Sequence, residues 1–281
     1  AVVVVLPVSN ADFHLAKKWL RWAFILEDDF DLVVFCAQSV SAEHQEELKN
    51  ICVSMMALFE LHPDPDIEQS QYGYGYAANS MFRGALEMVE RLFPKRPMLW
   101  CEADTVPMRK GWVGEIDWEF ATCGKPFMGD FHAESTIPHM TGNGVYAADW
   151  RVQAPSLAIL PQPRPECGWD TLCAHELVPK MHRASTIQQI WSPPPFNRKN
   201  LNMVHPETAL FHRCKDGTLI DVLAESIGVD PIANTRSLQP TATYMDRARV
   251  SLKTAPRVDI LIVTFGRDMD FLRYCVRSIQ L

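Results

Sequence analysis

Unbroken apolar runs that alternate with stretches of helical period constrain this chain more than any other feature. Val2-Val3-Val4-Val5-Leu6, Leu32-Val33-Val34-Phe35-Cys36 and Met98-Leu99-Trp100-Cys101 are apolar at every position. Such runs suit strands buried on both faces, the condition of a parallel sheet. Between them, Phe13 to Leu26 places Leu15, Trp19, Trp22 and Phe24-Ile25 at helical spacing, behind Asp12 as a cap. Ala42 to Met56 is amphipathic behind Ser41, and Ala57 to Leu61 reads as a further strand. Ala77 to Phe93 is a long helix with Met81, Leu86, Val89 and Leu92-Phe93 on its core side. This alternation predicts an α/β fold with a mostly parallel central sheet and helices on both faces.

With 281 residues, 47% of them hydrophobic, the chain can bury a full core. A net charge of −7 leaves no basic footprint for nonspecific nucleic-acid binding, although a local groove needs no global excess. No run is long and apolar enough to span a membrane. Residues 1–8 are too short and too poor in basic flanks for a secretory signal. Ala1 already lies in a strand-like run, as in a chain whose true start is missing or processed. The eight cysteines form no C-x-x-C pair, which argues against structural zinc. Most sit in apolar runs as small core residues, and a reduced, cytoplasmic setting fits.

The stretch from Met98 to Met108 carries the first chemistry. Its apolar run ends in Glu102 and Asp104, one residue apart, followed by Thr105 and by Pro107, which is expected to stop further pairing. Acids at i and i+2 of an extended chain point the same way. Ligands of open α/β sheets sit outside the carboxyl ends of the strands. Hard divalent cations take one or two carboxylates plus substrate phosphates. Glu102-Ala103-Asp104 is therefore a candidate metal and phosphate site, with a solvated turn as the plain alternative.

Other segments offer partners. Pro7 to Asp12 sets backbone N–H groups at the end of the first strand, where a nucleotide can bind. It lacks the glycines of a dinucleotide fingerprint or a P-loop. Asn79 and Arg83 share a helix face, and Arg83 suits a phosphate or sugar hydroxyl. Gln71 to Tyr76, small and aromatic, suits a segment that closes over a ligand. Met140 to Ala148 holds two glycines flanking Asn143, read as a turn that lets backbone approach a ligand before a strand resumes. Asp170 lies at or near the cap of a helix opened by Cys167 to Leu177, and is either a cap or a general base. His212 follows an apolar stretch and can complete a Mn²⁺ site, while Lys215 can hold a diphosphate. His205 fits as well as His212 by sequence. Trp112, Trp118 and Trp169 are either core residues or stacking surfaces, and the Pro-rich Trp191 to Asn202 is a loop or lid.

Thr218 to Gly228 closes the first domain as a helix. Residues 229–256 lack a period and read as a linker. Then the opening pattern returns: Arg257 to Asp268 is a β-branched strand with a polar loop, and Met269 to Leu281 has helical spacing, mirroring Val2 to Leu26.

In their order, these parts resemble a GT-A glycosyltransferase. Glu102-Ala103-Asp104 resembles that class's acid-x-acid motif, with Glu in place of the usual first Asp. Trp169-Asp170-Thr171-Leu172 resembles its helix-start acid, and Phe211-His212 with Lys215 and Gly217 its late His-and-Lys segment. The resemblance covers most of residues 1–228, and residues 257–281 look like the first strand and helix of a second, truncated domain of the family-two type. It implies that Asp104 and His212 bind Mn²⁺ or Mg²⁺, with Glu102 on metal or ribose. It implies a nucleotide-sugar donor of the UDP-sugar type, with Pro7, Val8 and Asp12 lining the nucleoside pocket. Asp170 would deprotonate the hydroxyl of a glycan, protein or modified-DNA acceptor with inversion, and under retention Asp130 would be the candidate near the sugar. A nucleotidyltransferase should carry a glycine-rich, basic loop after the first strand, and none is present. A non-catalytic module that binds nucleotide or glycan for a second domain is the other reading.

Overall fold

The computed structural model describes residues 1–26, 29–64, 73–160, 167–229, 259–262 and 274–277. The chain divides into two compact units, Ala1–Thr235 and Arg236–Leu281. The first unit begins with the expected alternation: β1 (Val3–Val8), α1 (Phe13–Ile25), β2 (Leu32–Cys36), α2 (Ala42–Met55), β3 (Leu58–Leu61), α3 (Gly73–Leu92) and β4 (Met98–Trp100). These four strands pair in parallel in the order β3-β2-β1-β4, with β2 and β4 buried throughout. The strand order reverses beside β1, so the crevice outside the carboxyl ends of β1 and β4 is where a ligand fits.

After β4 the pattern changes. β5 (Thr105–Pro107), α4 (Trp112–Cys123), β6 (Phe127–His132), β7 (His139–Tyr146), α5 (Trp150–Gln153), α6 (Trp169–Leu172), α7 (Ala174–Leu177), β8 (Met181–Arg183), β9 (Ile187–Gln189), β10 (Leu210–His212) and α8 (Thr218–Ser226) follow. β7 lies antiparallel beside β4, β6 antiparallel beside β7, and β8 parallel beside β6. The result is a mostly parallel seven-stranded sheet, β3-β2-β1-β4-β7-β6-β8, with helices packed on it. A smaller sheet, β5-β10-β9, stands apart from it.

Several expectations are corrected. The stretch from Met98 to Met108 is two strands in two sheets. The Thr105 N–H and hydroxyl both donate to Glu102 O, at 2.9 and 2.7 Å, and this turn ends β4 and redirects the chain. Pro107 does not stop pairing: it lies opposite Leu210 at the end of β5, an edge strand, where a missing N–H breaks no ladder. Pro7 also lies within its strand, opposite Phe35. Val3 N–H points to the β4 side and Val4 N–H to the β2 side, so position 7 faces β4, whose pairing has stopped at Val5.

Asp12 sits at the N-cap of α1 without capping it, because its carboxylate accepts the Ser9 hydroxyl instead. Ser41 does cap α2, accepting from His44 N–H at 3.2 Å. Residues 73–76 are the first turn of α3 and not a closing segment; Gln71 and Tyr72 lie outside the described residues. Met140 to Tyr146 is continuous strand and not a turn. Its glycines do serve close approach, but to the protein itself. A Cβ at Gly144 would stand 2.5 Å from Met128 O, and one at Gly142 2.9 Å from the Trp169 ring.

α1 clamps the small sheet. Trp19 and Trp22 are buried, and their indole N–H groups donate to Thr105 Oγ1 at 3.0 Å and Pro107 O at 2.7 Å. Truncating a buried tryptophan to Ala costs roughly 3–5 kcal/mol. Trp112 and Trp169 are likewise core, whereas Trp118 is exposed. Burial pushes the Cys52 and Cys173 thiols up to about 12. No helix among the described residues is long and apolar enough to cross a membrane.

In the second unit, β11 (Asp259–Ile262) pairs antiparallel with β12 (Tyr274–Arg277). β11 falls where a strand is expected. β12 falls where helical spacing suggests a helix, and aromatic Tyr274 with β-branched Val276 suits the pleated form. The rest of the opening repeat, and the linker at 229–256 apart from Val229, lie outside the described residues.

Candidate metal centre and active site

Three side chains from distant parts of the sequence converge beyond the end of β4. One oxygen each of Glu102 and Asp104 and one ring nitrogen of His212 lie within 4.8 Å of one another. Strand register explains the meeting. In the small sheet His212 stands opposite Thr105 on one side and Gln189 on the other. Cys214 N–H then donates to Asp104 O at 2.9 Å and ties the two segments together. The two acids converge from a tight turn and not, as the sequence suggests, from an extended strand.

His212 Nε2 lies 3.1 Å from Asp104 Oδ1 and 3.2 Å from Glu102 Oε2. Burial opposes charging this ring, but hydrogen bonds and charge from Asp104 and Glu102 outweigh it, and His212 is pushed up to about 9. Burial likewise raises Glu102, yet His212 and Asn143 hold it below the usual carboxylate range. Asn143 on β7 completes the frame. Its Oδ1 accepts Glu102 N–H at 2.7 Å, its Nδ2 donates to Glu102 Oε2 at 3.2 Å, and the same nitrogen lies 3.0 Å from His212 Nε2. Gln189 Oε1 sits against His212 Nδ1, and Gln189 N–H donates to Asp130 Oδ2 at 2.8 Å.

This set fits a divalent cation. Two carboxylates and an imidazole are suitable ligands for Mn²⁺ and acceptable ones for Mg²⁺. Asp104 Oδ1 is buried with no hydrogen bond of normal geometry, as a metal-facing oxygen would be. Asn143, Gln189 and Asp130 supply the surrounding hydrogen bonds that orient such ligands. His205, equal to His212 by sequence, is exposed, and its Nδ1 accepts Glu207 N–H at 3.3 Å.

Asp170 lies in the first turn of α6, whose N-cap is Gly168. It is therefore not the cap. Its Oδ1 accepts Thr171 N–H at 2.8 Å, and its Oδ2 faces His139 Nε2 at 3.8 Å. Burial raises Asp170 above the usual carboxylate range, His139 opposes the rise, and the Glu102 charge adds to it. Asn79 and Arg83 share their helix face as expected, but both brace the chain before Asp170. Asn79 donates to Cys167 O at 3.1 Å, and Arg83 donates to Leu160 O beside Glu87.

Beyond His212 the backbone is strained: Arg213 has φ 88°, a left-handed value costly outside glycine. Its guanidinium lies 3.4 Å over the Trp191 ring, whose indole N–H donates to His132 Nε2 at 2.6 Å. Arg213 and Lys215 line a cavity of about 220 Å³ with Ser192, Phe196 and Asp216. Among the described residues neither cation has an ion-pair partner, although acids outnumber bases 34 to 27 in the chain. Pro7 and Val8 stand at the carboxyl end of β1, and Val8 O accepts Ala37 N–H at 2.9 Å.

No family model matches the chain, and no curated protein matches it. Solved structures do. The apo bifunctional glycosyltransferase WbbM is 10% identical with a TM-score of 0.55, over 89% of this chain and 51% of that one. The apo form of mouse xyloside xylosyltransferase 1 is 12% identical with a TM-score of 0.49, over 75% and 97%. The galactosyltransferase LgtC, in complex with donor and acceptor sugar analogs, is 11% identical with a TM-score of 0.47, over 83% and 98%. The chain spans about half the length of WbbM. At such identities the likeness is one of fold, and the fold is of the GT-A glycosyltransferase type.

Proposed function

We propose that this chain transfers a sugar from a nucleotide-sugar donor of the UDP-sugar class to an acceptor hydroxyl, assisted by Mn²⁺ or Mg²⁺. The observation that carries this reading is the convergence of Glu102, Asp104 and His212 beyond β4, at the reversal of strand order, in a fold shared with a glycosyltransferase. The cation, when bound, offsets the charge that develops on the leaving diphosphate.

This chain's residues supply the rest. Glu102, Asp104 and His212 hold the cation. Pro7, Val8 and Asp12 border the nucleoside at the end of β1. Lys215, joined by Arg213, faces the diphosphate, and the cavity that both line supports that role. Asp170 takes the proton of the acceptor hydroxyl as its oxygen attacks the anomeric carbon from the face opposite the leaving group. Inversion is favoured because Asp130 is occupied elsewhere. Its oxygens accept Phe131 N–H at 2.7 Å and Gln189 N–H at 2.8 Å, which suits a support of the metal site better than a group at the sugar. The acceptor is a glycan, a protein or a hydroxymethylated DNA base.

Calorimetric titration of the full chain with UDP, GDP and CMP, each with and without Mn²⁺, tests the donor site. The expected result is binding of UDP that excess chelator abolishes. Failure of every nucleotide to bind overturns the reading. Metal-dependent binding with no turnover of any UDP-sugar, in water or with added acceptors, makes the domain a binding module.

A further inference from the structure

β7 touches both halves of the site. Asn143 reaches Glu102 and His212, and four residues earlier His139 faces Asp170. Between them the pairing of β7 with β6 slips, as two steps of β6 face four of β7. His139 is buried, and its Nδ1 lies 2.7 Å from Ile137 O. A carbonyl can only accept, so Nδ1 carries the proton. Nε2 is therefore the nitrogen free to take up or release a proton, and it is the one aimed at Asp170 Oδ2, 3.8 Å away. The other Asp170 oxygen is engaged by Thr171 N–H. One free oxygen faces one free nitrogen.

Among the described residues the surroundings leave His139 as the basic group facing Asp170. His132 packs edge-on against it, with ring centroids 5.3 Å apart. His132 Nε2 accepts the Trp191 indole N–H, a donor only, so that nitrogen is turned to Trp191 and not to Asp170. Among the described residues, Glu102, Tyr146 and Cys173 also act on Asp170. Burial keeps Tyr146 and Cys173 protonated, and Glu102 is an anion. Asp170 has one partner in this set able to become a cation, His139.

We infer that His139 is a positioning residue for Asp170, set to face the carboxylate oxygen that takes the proton from the acceptor. This rests on the transfer reading above. The acceptor O–H bond breaks as oxygen attacks the anomeric carbon, and the bond from that carbon to the diphosphate oxygen breaks. The proton goes to Asp170 Oδ2 and leaves from there to solvent. The net products are a glycoside, a nucleoside diphosphate and a proton. The 3.8 Å gap closes or is bridged by one water when the acceptor is seated, as hydrogen bonds of a catalytic base commonly tighten on binding.

The test pairs kinetics with a readout that needs no donor. His139→Gln keeps a polar atom near the Nε2 position but cannot titrate. It is expected to leave Mn²⁺-dependent UDP binding within about twofold while transfer falls by about a hundredfold, the lower end of general-base contributions. The acidic limb of kcat should move to higher pH, because His139 opposes the rise of Asp170 and its removal lets that pKa rise further. An unmoved limb, with only an overall fall in rate, overturns the proposal. The second measurement uses the wild-type chain and Asp170→Asn, each titrated by NMR at the His139 ring. The expected result is that His139 gives up its proton at lower pH once the Asp170 charge is gone. An unchanged His139 titration overturns the pairing, even where His139→Gln fails to fold. Intact coupling in a chain that neither binds nucleotide nor turns over donor keeps the pair but overturns its role in transfer, and so separates this failure from that of the function.

Discussion

The metal centre and the Asp170–His139 pair are built to different tolerances. Around His212 every approach is close. Asp104 and Glu102 oxygens lie 3.1 and 3.2 Å from Nε2, Asn143 spans Glu102 and the ring, and Gln189 is fixed in turn by Asp130. At Asp170 one oxygen is held by Thr171 N–H and the other stands 3.8 Å from His139 Nε2. A group that binds a cation gains from rigid placement before the ligand arrives. A base must instead leave one oxygen open for a proton that only the acceptor brings. Tightness thus separates the proposed cation ligands from the proposed base, although both sets carry carboxylates and imidazoles.

The sharpest way to break that contrast is to remove one carboxylate from each side. Asp104→Asn should lower Mn²⁺-dependent UDP binding by more than the roughly 10–100-fold that even supporting residues command, and abolish transfer with it. Asp170→Asn should leave the same calorimetric titration unchanged while transfer falls by roughly 10²–10⁴-fold. If both variants lose nucleotide binding, the two regions are one unit and the contrast is wrong.

A smaller effect tests whether the frame matters as much as the ligands. Asn143→Ala leaves Glu102 N–H without its side-chain acceptor and frees both carboxylate and ring. Metal affinity, read by titrating Mn²⁺ into the UDP complex, should drop roughly 10–100-fold with the fold intact. An unchanged affinity would mean that Glu102, Asp104 and His212 need no such support.

The smallest effect concerns stability on the metal side. Glu119 of α4 is buried and accepts Ser185 N–H at 2.7 Å, Thr186 N–H at 3.0 Å and the Thr186 hydroxyl, just ahead of β9 and Gln189. Burial raises its pKa, but these donors and His182 hold it below the usual carboxylate range. A depressed folded-state pKa stabilises the fold at pH above the unfolded value, and that contribution disappears as pH falls through the folded one. Glu119→Gln should therefore cost roughly 1–3 kcal/mol in urea unfolding at pH 7. The gap between wild type and variant should narrow as the pH is lowered. A gap independent of pH would assign the loss to packing.

Much of this architecture is legible in the sequence, and the reasons are local. Val2 to Leu6 and Leu32 to Cys36 are apolar throughout and become parallel strands because no other environment suits them. Glu102, Asp104 and His212 stand out because each ends an apolar run. What is not legible depends on register. Gln189 supports His212 only because β9 and β10 pair with those two residues opposite, a fact no local pattern contains. Asn143 did carry a signal, its two flanking glycines, but they fit a strand packed tightly on Met128 and Trp169 as well as a turn. His139 looks like any buried histidine until Ile137 O fixes its tautomer. The turn at Glu102 was hidden because Thr105 satisfies it with both backbone and hydroxyl, a use that sequence spacing does not distinguish from a strand.

β7 carries a slip in its pairing between His139 and Asn143. Two steps of β6, Gly129 to Phe131, stand opposite four of β7, Gly144 to Met140. Such bulges bend a strand and re-aim its side chains. The slip is held by the ladder on either side and not by a loop. Insertions before His139 or after Tyr146 would leave it unchanged, so neighbouring loops can vary to suit a new acceptor while His139 and Asn143 keep their aim. A deletion that removed the slip would restore regular pairing and swing one of them away, and the proposed metal frame or the partner of the proposed base would be lost in a single mutational step.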